Sequence, residues 1–362
     1  MPRAISVIIP NYNGAHHLAD CLDSLACQTV FSRCEFIVVD NASADESIAL
    51  LAQRYPWVQR IELPDNRGFS AAVNAGIQAA RGDILVLLNN DTRAEPDWLA
   101  QIERAFDQHP AASIIASRML RWEPPHLIDS AGDRFALLGG KGINIAAGQL
   151  AKSRPQATWV PAACAGAAAY RRALFEDIGL FDESFFLVYE DLDLSLRALV
   201  AGHRCLYWPD AVVYHKRGVS VNRLDPETIS RSWRNLFWAA GQNLPPLLLA
   251  IWLLRSVGSI VFFTGQSVLA RLLRIKARPA DVSTAPGREE QTEADTMESA
   301  ADSLQAKSPA LLQWYWPAWR RAFGELPARR RRNRQYRRLG SLAMLQRLVR
   351  WQQPLQPEPA SK

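Results

Sequence analysis

The stretch Ile84–Thr92, ILVLLNNDT, is an apolar run of strand length that stops abruptly at Asn89, Asn90 and Asp91. Such a run reads as a parallel strand buried on both faces, with its polar end at the carboxyl edge of a sheet, where open α/β sheets bind ligands. A carboxylate placed there can hold a divalent cation against a phosphorylated substrate, because hard cations take oxygen ligands. An Asx turn that only closes the strand is the other reading of the same residues.

Upstream, the same pattern recurs. Ile5–Pro10 is a β-branched run followed by Asn11-Tyr12-Asn13-Gly14, and His17–Ala26 then shows apolar spacing at Leu18, Cys21, Leu22 and Leu25. Glu35–Asp40 is a second strand ending in a carboxylate, with Ser43 or Asp45 available to cap a helix over Glu46–Arg54. Val58–Leu63 is a weaker third strand, and Asn66-Arg67-Gly68-Phe69-Ser70 opens a helix over Ala71–Ala80. Strands alternating with helices, each strand ending in polar residues, predict a parallel sheet with a site along its carboxyl edge. No G-x-G-x-x-G and no P-loop pattern stands at these turns, so neither a Rossmann dinucleotide site nor a P-loop is supported.

The segments SVIIPNYNG, FIVVDNASADES, DNRGFSAAVNAG and ILVLLNNDT, in this order, resemble the amino-terminal half of family 2 glycosyltransferases of the GT-A fold. The likeness is nearest to the rhamnosyltransferase-like branch of bacterial polysaccharide biosynthesis, and continues through Ile178–Glu183, Tyr189–Leu194 and Arg197 to Tyr214–Ser220. It implies a mixed, mostly parallel Rossmann-like α/β sheet flanked by helices, and transfer of a sugar from a nucleotide diphosphate sugar. Carried over residue by residue, it puts the nucleotide contact on Asp40. It puts the divalent cation, Mg²⁺ or Mn²⁺, on Asp91 and His215, and the catalytic base on Asp191 with Glu190 as its neighbour. Asn89 stands where a strict D-x-D has its first acid, which leaves Asp91 as the charged ligand from that strand. Pro10, Tyr12, Asn41, Asn66, Arg67, Asn74, Asn89, Asn90 and Trp159 complete the expected donor-binding set.

Without the resemblance, several of these residues keep a plainer reading. Glu190 and Asp191 suit a helix amino terminus as capping charges. His215 at a strand end can be structural, and Trp159 can be a core aromatic. Arg67 and Arg197 can bind phosphate or stabilise helices. The glycine-rich stretch Arg118–Lys152 is poorly periodic and predicts a mobile loop over the donor pocket.

The 362 residues suit one sizeable α/β domain plus a smaller part, and the net charge of +6 is concentrated in Arg320–Arg350. Five cysteines without a C-x-x-C pair argue against a disulfide framework or zinc site and for reduced thiols packed in the core. The amino-terminal apolar run is too short for a secretory signal, which places the catalytic part in the cytosol. The expected organisation is a catalytic domain over 1–225, a hydrophobic helical membrane-associated segment over 226–277, a disordered acidic linker over 278–308 and a Trp/Arg-rich basic tail over 309–362. Pro245–Leu254 and Val257–Leu273 are apolar enough to lie in a membrane interface or cross it as a hairpin, or to form a soluble helical layer on the catalytic domain. Tryptophans beside arginines suit an anionic membrane surface, here the cytoplasmic face of the inner membrane, rather than nucleic acid. The partners expected are a nucleotide sugar, a lipid-linked or glycan acceptor and that membrane; rhamnose from dTDP-rhamnose is the sugar suggested by nearness of resemblance. The rival classes are a nucleotidyltransferase, whose amino-terminal signature is missing, and a non-catalytic nucleotide-sugar-binding membrane scaffold.

Overall fold

The computed structural model of the protein describes residues 5–137, 141–216, 226–255 and 308–349. The first half alternates as its apolar spacing requires: β1 (Ile5–Asn11), α1 (Ala15–Ala26), β2 (Cys34–Asp40), α2 (Ser47–Arg54), β3 (Gln59–Glu62), α3 (Gly68–Ala79) and β4 (Ile84–Leu88). β4 is buried at every position and β1 at all but one, as central strands covered on both faces must be. α1 turns Leu18, Cys21, Leu22 and Leu25 inward, one face of a helix at the expected spacing.

The chain then continues through β5 (Thr92–Ala94), α4 (Trp98–Gln108), β6 (Ile114–Arg121), β7 (Ile128–Ser130), β8 (Asp133–Ala136), β9 (Lys141–Asn144), β10 (Thr158–Val160), β11 (Ala167–Arg171), α5 (Arg172–Ile178), α6 (Glu190–Ala201) and β12 (Cys205–His215). Ten strands form one sheet with the main order β10-β12-β6-β11-β4-β1-β2-β3, β5 pairing with β12 and β7 with β6. β3, β2, β1 and β4 are parallel, whereas β11 runs antiparallel between β4 and β6, so the mixed, helix-flanked sheet expected from the sequence is present.

The expectation of a loop over Arg118–Lys152 is corrected. This stretch holds the end of β6, β7 and a β8–β9 hairpin. A Cβ added at Gly142 would lie 3.2 Å from the Tyr189 ring, so the hairpin rests against the start of α6. Its apolar positions Ile128, Ala131, Phe135 and Ile145 are buried. They are too widely spaced to show a period, and distant segments cover them.

The carboxyl-terminal part is a helical layer. α7 (Pro226–Asn243), a helical stretch over 246–255, α8 (Ser308–Asn333) and α9 (Ser341–Val349) follow β12. Leu236, Phe237, Trp238, Leu244, Leu248, Trp252, Ala322, Met344 and Leu348 form a core with Leu192, Leu196, Leu199 and Val200 of α6. Of the organisation expected from the sequence, 256–277 and the acidic linker up to residue 307 lie outside the described residues. No described helix is long and apolar enough to cross a membrane. The arginine run is engaged in tertiary contacts. Arg329, 7% exposed, donates to Asp182 at 2.9 Å and to Ser184 Oγ at 2.8 Å. Arg330 and Arg337 donate to carbonyls at the end of α7, and Arg347 to those of Gly202 and His203 beyond α6, where unpaired helix carbonyls attract cations.

One buried pair ties α6 to the sheet domain. Arg197 meets Asp193 at 3.0 Å and donates to the carbonyls of Ile178 and Leu180 at 2.7 and 2.8 Å. Of the two roles open to Arg197 from sequence, the structural one is what the geometry shows. Arg197→Ala should cost about 3 kcal/mol, because it leaves the Asp193 charge buried without its cation. Urea unfolding of the variant against the parent checks this, with a loss below about 1 kcal/mol counting against the assignment.

Candidate active site

The strand ends form a hydrogen-bonded ladder. Asn11 and Asp40 are register partners in β1 and β2, and Asn11 Nδ2 donates to Asp40 Oδ1 at 2.9 Å. Asn90 Nδ2 donates to Asn11 Oδ1 at 2.7 Å. Asp40 also accepts from Ser43 N at 2.9 Å and Ser43 Oγ at 2.6 Å, so it is held rigidly and buried. Asn41 Oδ1 accepts Arg67 N at 2.9 Å, and Asn41 Nδ2 donates to Asn66 Oδ1 at 3.0 Å, fixing the turn into α3. Gly14 is required beside this ladder: a Cβ there would come within 2.1 Å of Asn90 Nδ2 and 2.5 Å of Asn11 Oδ1.

In front of the ladder lies a cleft of about 530 Å³, walled by Pro10, Asn11, Tyr12, Asn41, Asn66, Asn89 and Asn90 on the sheet side. Cys164–Gly166, whose Gly166 O accepts Asn89 N at 2.9 Å, and Phe186, Leu187, Glu190 and Asp191 complete the lining. The sequence reading missed His17, Cys164 and the segment Phe186–Leu187 as wall residues. Only the loop ahead of α6, already marked by the Glu-Asp pair, carried a signal for the last of these.

Asp91 and His215 are 124 positions apart in sequence and are joined by the antiparallel pairing of β5 with β12, in which His215 sits opposite Thr92. His215 Nε2 is 3.3 Å from Asp91 Oδ1, and His215 Nδ1 is 2.7 Å from Asp129 Oδ2. Burial works to lower the His215 pKa, but the hydrogen bond to Asp129 and the Asp91 carboxylate lift it to about 9. Burial works the other way on Asp91, yet His215 outweighs it and holds that carboxyl below its usual range. At 3.3 Å the contact is an ion pair rather than a formed hydrogen bond, and the buried Asp91 Oδ1 has no donor. An orphaned carboxylate oxygen beside an imidazole nitrogen, with the other ring nitrogen oriented by a carboxylate, suits a divalent cation once the imidazolium gives up the Nε2 proton to bind it. The 3.3 Å spacing is close to the roughly 3 Å between neighbouring ligands of an octahedral ion with bonds of about 2.1 Å. A second group, Asp133, Cys164 and Asp191, also brings its ligand atoms within 4.8 Å of one another.

Asp191 and Glu190 open α6 on the cleft. Asp191 Oδ1 accepts Leu192 N at 2.7 Å and Asp191 Oδ2 accepts Ala165 N at 3.3 Å, whereas Glu190 Oε2 is buried with no hydrogen-bond partner. Burial, then the charge of Asp191, push Glu190 up to about 8. Burial also raises Asp191, against its N–H bonds. Those bonds favour the ionised form of Asp191 and oppose its shift, whereas Glu190 Oε2 has no such bond. The backbone delivering the pair is strained: Phe186, Val188 and Tyr189 have φ of 63°, 72° and 69°. Non-glycine residues there cost about 1–3 kcal/mol each and gather at functional sites.

Three members of the expected donor set are placed elsewhere. Trp159 lies on β10, with the Arg204 guanidinium 3.6 Å over its ring, and faces a separate cavity bordered by α9. Asn74 is engaged by Phe181 N and O and by Glu183, so its amide fastens α3 to the loop before α6. Arg67 pairs with Glu183 at 3.0 Å on the rim. In this arrangement partners distant in sequence take up the polar or aromatic faces of Asn74 and Trp159, and Arg67 is held in an exposed ion pair beside cleft-lining Asn66 and Gly68. Asp40, Asp91 and His215 lie beneath the cleft wall rather than on it. The five cysteines are free thiols, but the expected core packing holds fully only for Cys21 and Cys205; Cys34 and Cys164 are half-buried and Cys27 is exposed.

Residues 6–179, a little under half of the chain, match the family model described as Glycosyl transferase family 2. A protein of Sinorhizobium fredii, named only as uncharacterized protein y4gI, is 30% identical over 253 residues, 64% of this chain and 26% of its own length. The N-acetylglucosaminyl-diphospho-decaprenol L-rhamnosyltransferase of Mycobacterium tuberculosis is 27% identical over 252 residues, covering 62% of this chain and 80% of the relative. The chain thus spans about a quarter of the first relative and most of the second. Among solved structures, the mannosyltransferase PcManGT from Pyrobaculum calidifontis, in complex with GDP-Man and Mn²⁺, aligns at a TM-score of 0.55 and 18% identity, covering 97% of this chain and 88% of that one. That likeness shows the fold.

A pH prediction follows from Glu190. Its folded pKa of about 8 lies above the ordinary 4.5, so the folded state binds the extra proton and stability falls as pH rises between those values. Glu190→Gln should flatten this slope and be the more stable protein above pH 8. Urea unfolding across that window checks it, and parallel curves for the two proteins would contradict it.

Proposed function

We propose that the protein is an inverting glycosyltransferase that moves a sugar from a nucleoside diphosphate donor to a hydroxyl acceptor in surface glycan biosynthesis. The carrying observation is that Asp191, its Oδ1 accepting Leu192 N, and Glu190, its Oε2 buried without a hydrogen-bond partner, share one cleft with the strand-end residues Asn11, Asn41, Asn89 and Asn90. Asp191 takes the proton of the acceptor hydroxyl, its oxygen attacks the anomeric carbon, and the bond to the diphosphate breaks as the new bond forms. A single in-line displacement inverts that centre and needs no covalent carboxylate intermediate. The asparagine ladder orients the nucleotide, with Asp40 as its rigid anchor. Asp91 and His215 would hold Mg²⁺ or Mn²⁺, which when bound neutralises charge on the departing diphosphate.

The finer assignments rest on likeness. The activity named for the mycobacterial relative supports rhamnose as the sugar and a polyprenyl diphosphate-linked acceptor. Such an acceptor would bring the protein to the cytoplasmic face of the inner membrane as a peripheral or re-entrant protein. Leu247 and Leu254, 61% and 76% exposed just ahead of the apolar sequence Val257–Leu273, support that placement.

Calorimetry with UDP-, GDP- and dTDP-sugars, with and without Mg²⁺ or Mn²⁺, tests the donor site. One nucleotide class should bind, more tightly with metal, and Asp91→Ala should remove the metal effect. Asp191→Asn should keep that binding while transfer falls by about 10²–10⁴-fold, the range lost with a general base. A folded protein that binds none of the donors would overturn the proposal in favour of another role for the cleft.

A further inference from the structure

The strained segment Phe186–Tyr189 has no glycine to ease it, yet it sets where Asp191 points. Its stability has to come from outside, and α7 supplies a specific contact. Asn235 is fully buried, and its Nδ2 lies 2.8 Å from Phe185 O, 3.0 Å from Leu187 O and 2.7 Å from Val188 O. One amide nitrogen with two hydrogens thus serves three consecutive-turn carbonyls, one hydrogen being shared. Asn235 Oδ1 accepts from the Arg234 guanidinium at 2.9 and 3.1 Å, and Arg234 also reaches Ser184 O at 3.2 Å. The amide can therefore face only one way, nitrogen toward the strained carbonyls. α8 braces the near end of the same segment through Arg329, bound to Asp182 and Ser184 and stacked 3.6 Å over Trp238 of α7.

We propose that Asn235 is a positioning residue for the reaction: its amide holds residues 185–189 in the left-handed path that presents Asp191 to the cleft. Asn235 lies beyond residues 6–179, the stretch that matches the family model. The inference rests on Asp191 acting as the base. On this reading the carboxyl-terminal helices complete the active site through backbone carbonyls, without touching substrate. Phe186 and Leu187 also line the cleft, but the strand ends hold the nucleotide, so nucleotide binding should respond to Asn235 far less than turnover does.

The test uses the full chain with Asn235→Ala, Asn235→Asp and Asn235→Ser. Amide hydrogen exchange is mapped, nucleoside diphosphate affinity is measured, and release of nucleoside diphosphate is followed from whichever sugar nucleotide binds in the calorimetry. In the Ala and Asp variants, exchange at residues 186–191 should rise by about tenfold or more while β1 and β4 amides stay at wild-type rates. Nucleotide affinity should hold, and kcat should fall by about 100-fold, the cost of a roughly 1 Å misplacement, without a matching change in donor KM. Serine restores one donor and should recover part of the loss, and it stands in if the Ala variant does not fold. Wild-type exchange at 186–191, or wild-type kcat, in a folded Ala variant overturns the inference. So does faster exchange spread evenly over the sheet, which would make Asn235 a general stabiliser. Asp191→Asn is run alongside: if it turns over normally, the base assignment fails, while the exchange map still judges the clamp by itself.

Discussion

Helix α6 carries three carboxylates near its first turn, Glu190 and Asp193 buried and Asp191 half-buried, and the different ways in which they are satisfied organise the molecule. A buried charge is tolerated only when paired and hydrogen-bonded. Asp193 has both: Arg197 supplies the cation, and Gln242 and Asn243 of α7 donate to its Oδ1. Arg197 in turn holds the carbonyls that end α5, and Asn333 of α8 donates to Asn243 at 2.9 Å. Glu190 and Asp191, a few residues earlier, are left without a cation, and burial raises both pKa values. One of the three acids is thus committed to structure, and two are left reactive at the cleft.

The strand-end wall is built by a different constraint. Parallel strands β1, β2 and β4 end level with one another, so their last polar residues meet, and Asn11 bridges Asp40 to Asn90. No residue in that ladder is free to swing. A rigid wall of amides and one carboxylate sharing a cleft with a strained loop is an arrangement in which orientation is set before a ligand arrives, which is how positioned groups lower barriers.

Cationic residues near the carboxyl end take a part in this that composition alone misrepresents. Arg329, Arg330, Arg337 and Arg347 bind carbonyls and carboxylates of the same chain, satisfying helix ends and the loop ahead of α6. A dense basic run therefore need not be a solvated face or a docking patch, because guanidinium forks are well suited to buried carbonyl and carboxylate groups.

The alternation of strand and helix, the polar strand ends and the Glu-Asp pair were legible because each is a local pattern: burial on both faces demands an unbroken apolar run, and a turn demands its own residue types. The β8–β9 hairpin was not, since its sparse apolar positions are covered only by distant segments. Likewise, Asn74 and Trp159 carry the right chemistry for a ligand but are held by Phe181, Glu183 and Arg204. The same holds for Asp129, which nothing in its neighbourhood marks and which orients His215 from 86 positions away. By itself the sequence determined the class of sheet, the edge on which a site would lie and the acids at hand. Only the tertiary structure decided which acids are neutralised by a partner and which remain reactive, because pairing, burial and the resulting pKa depend on residues brought together from far along the chain.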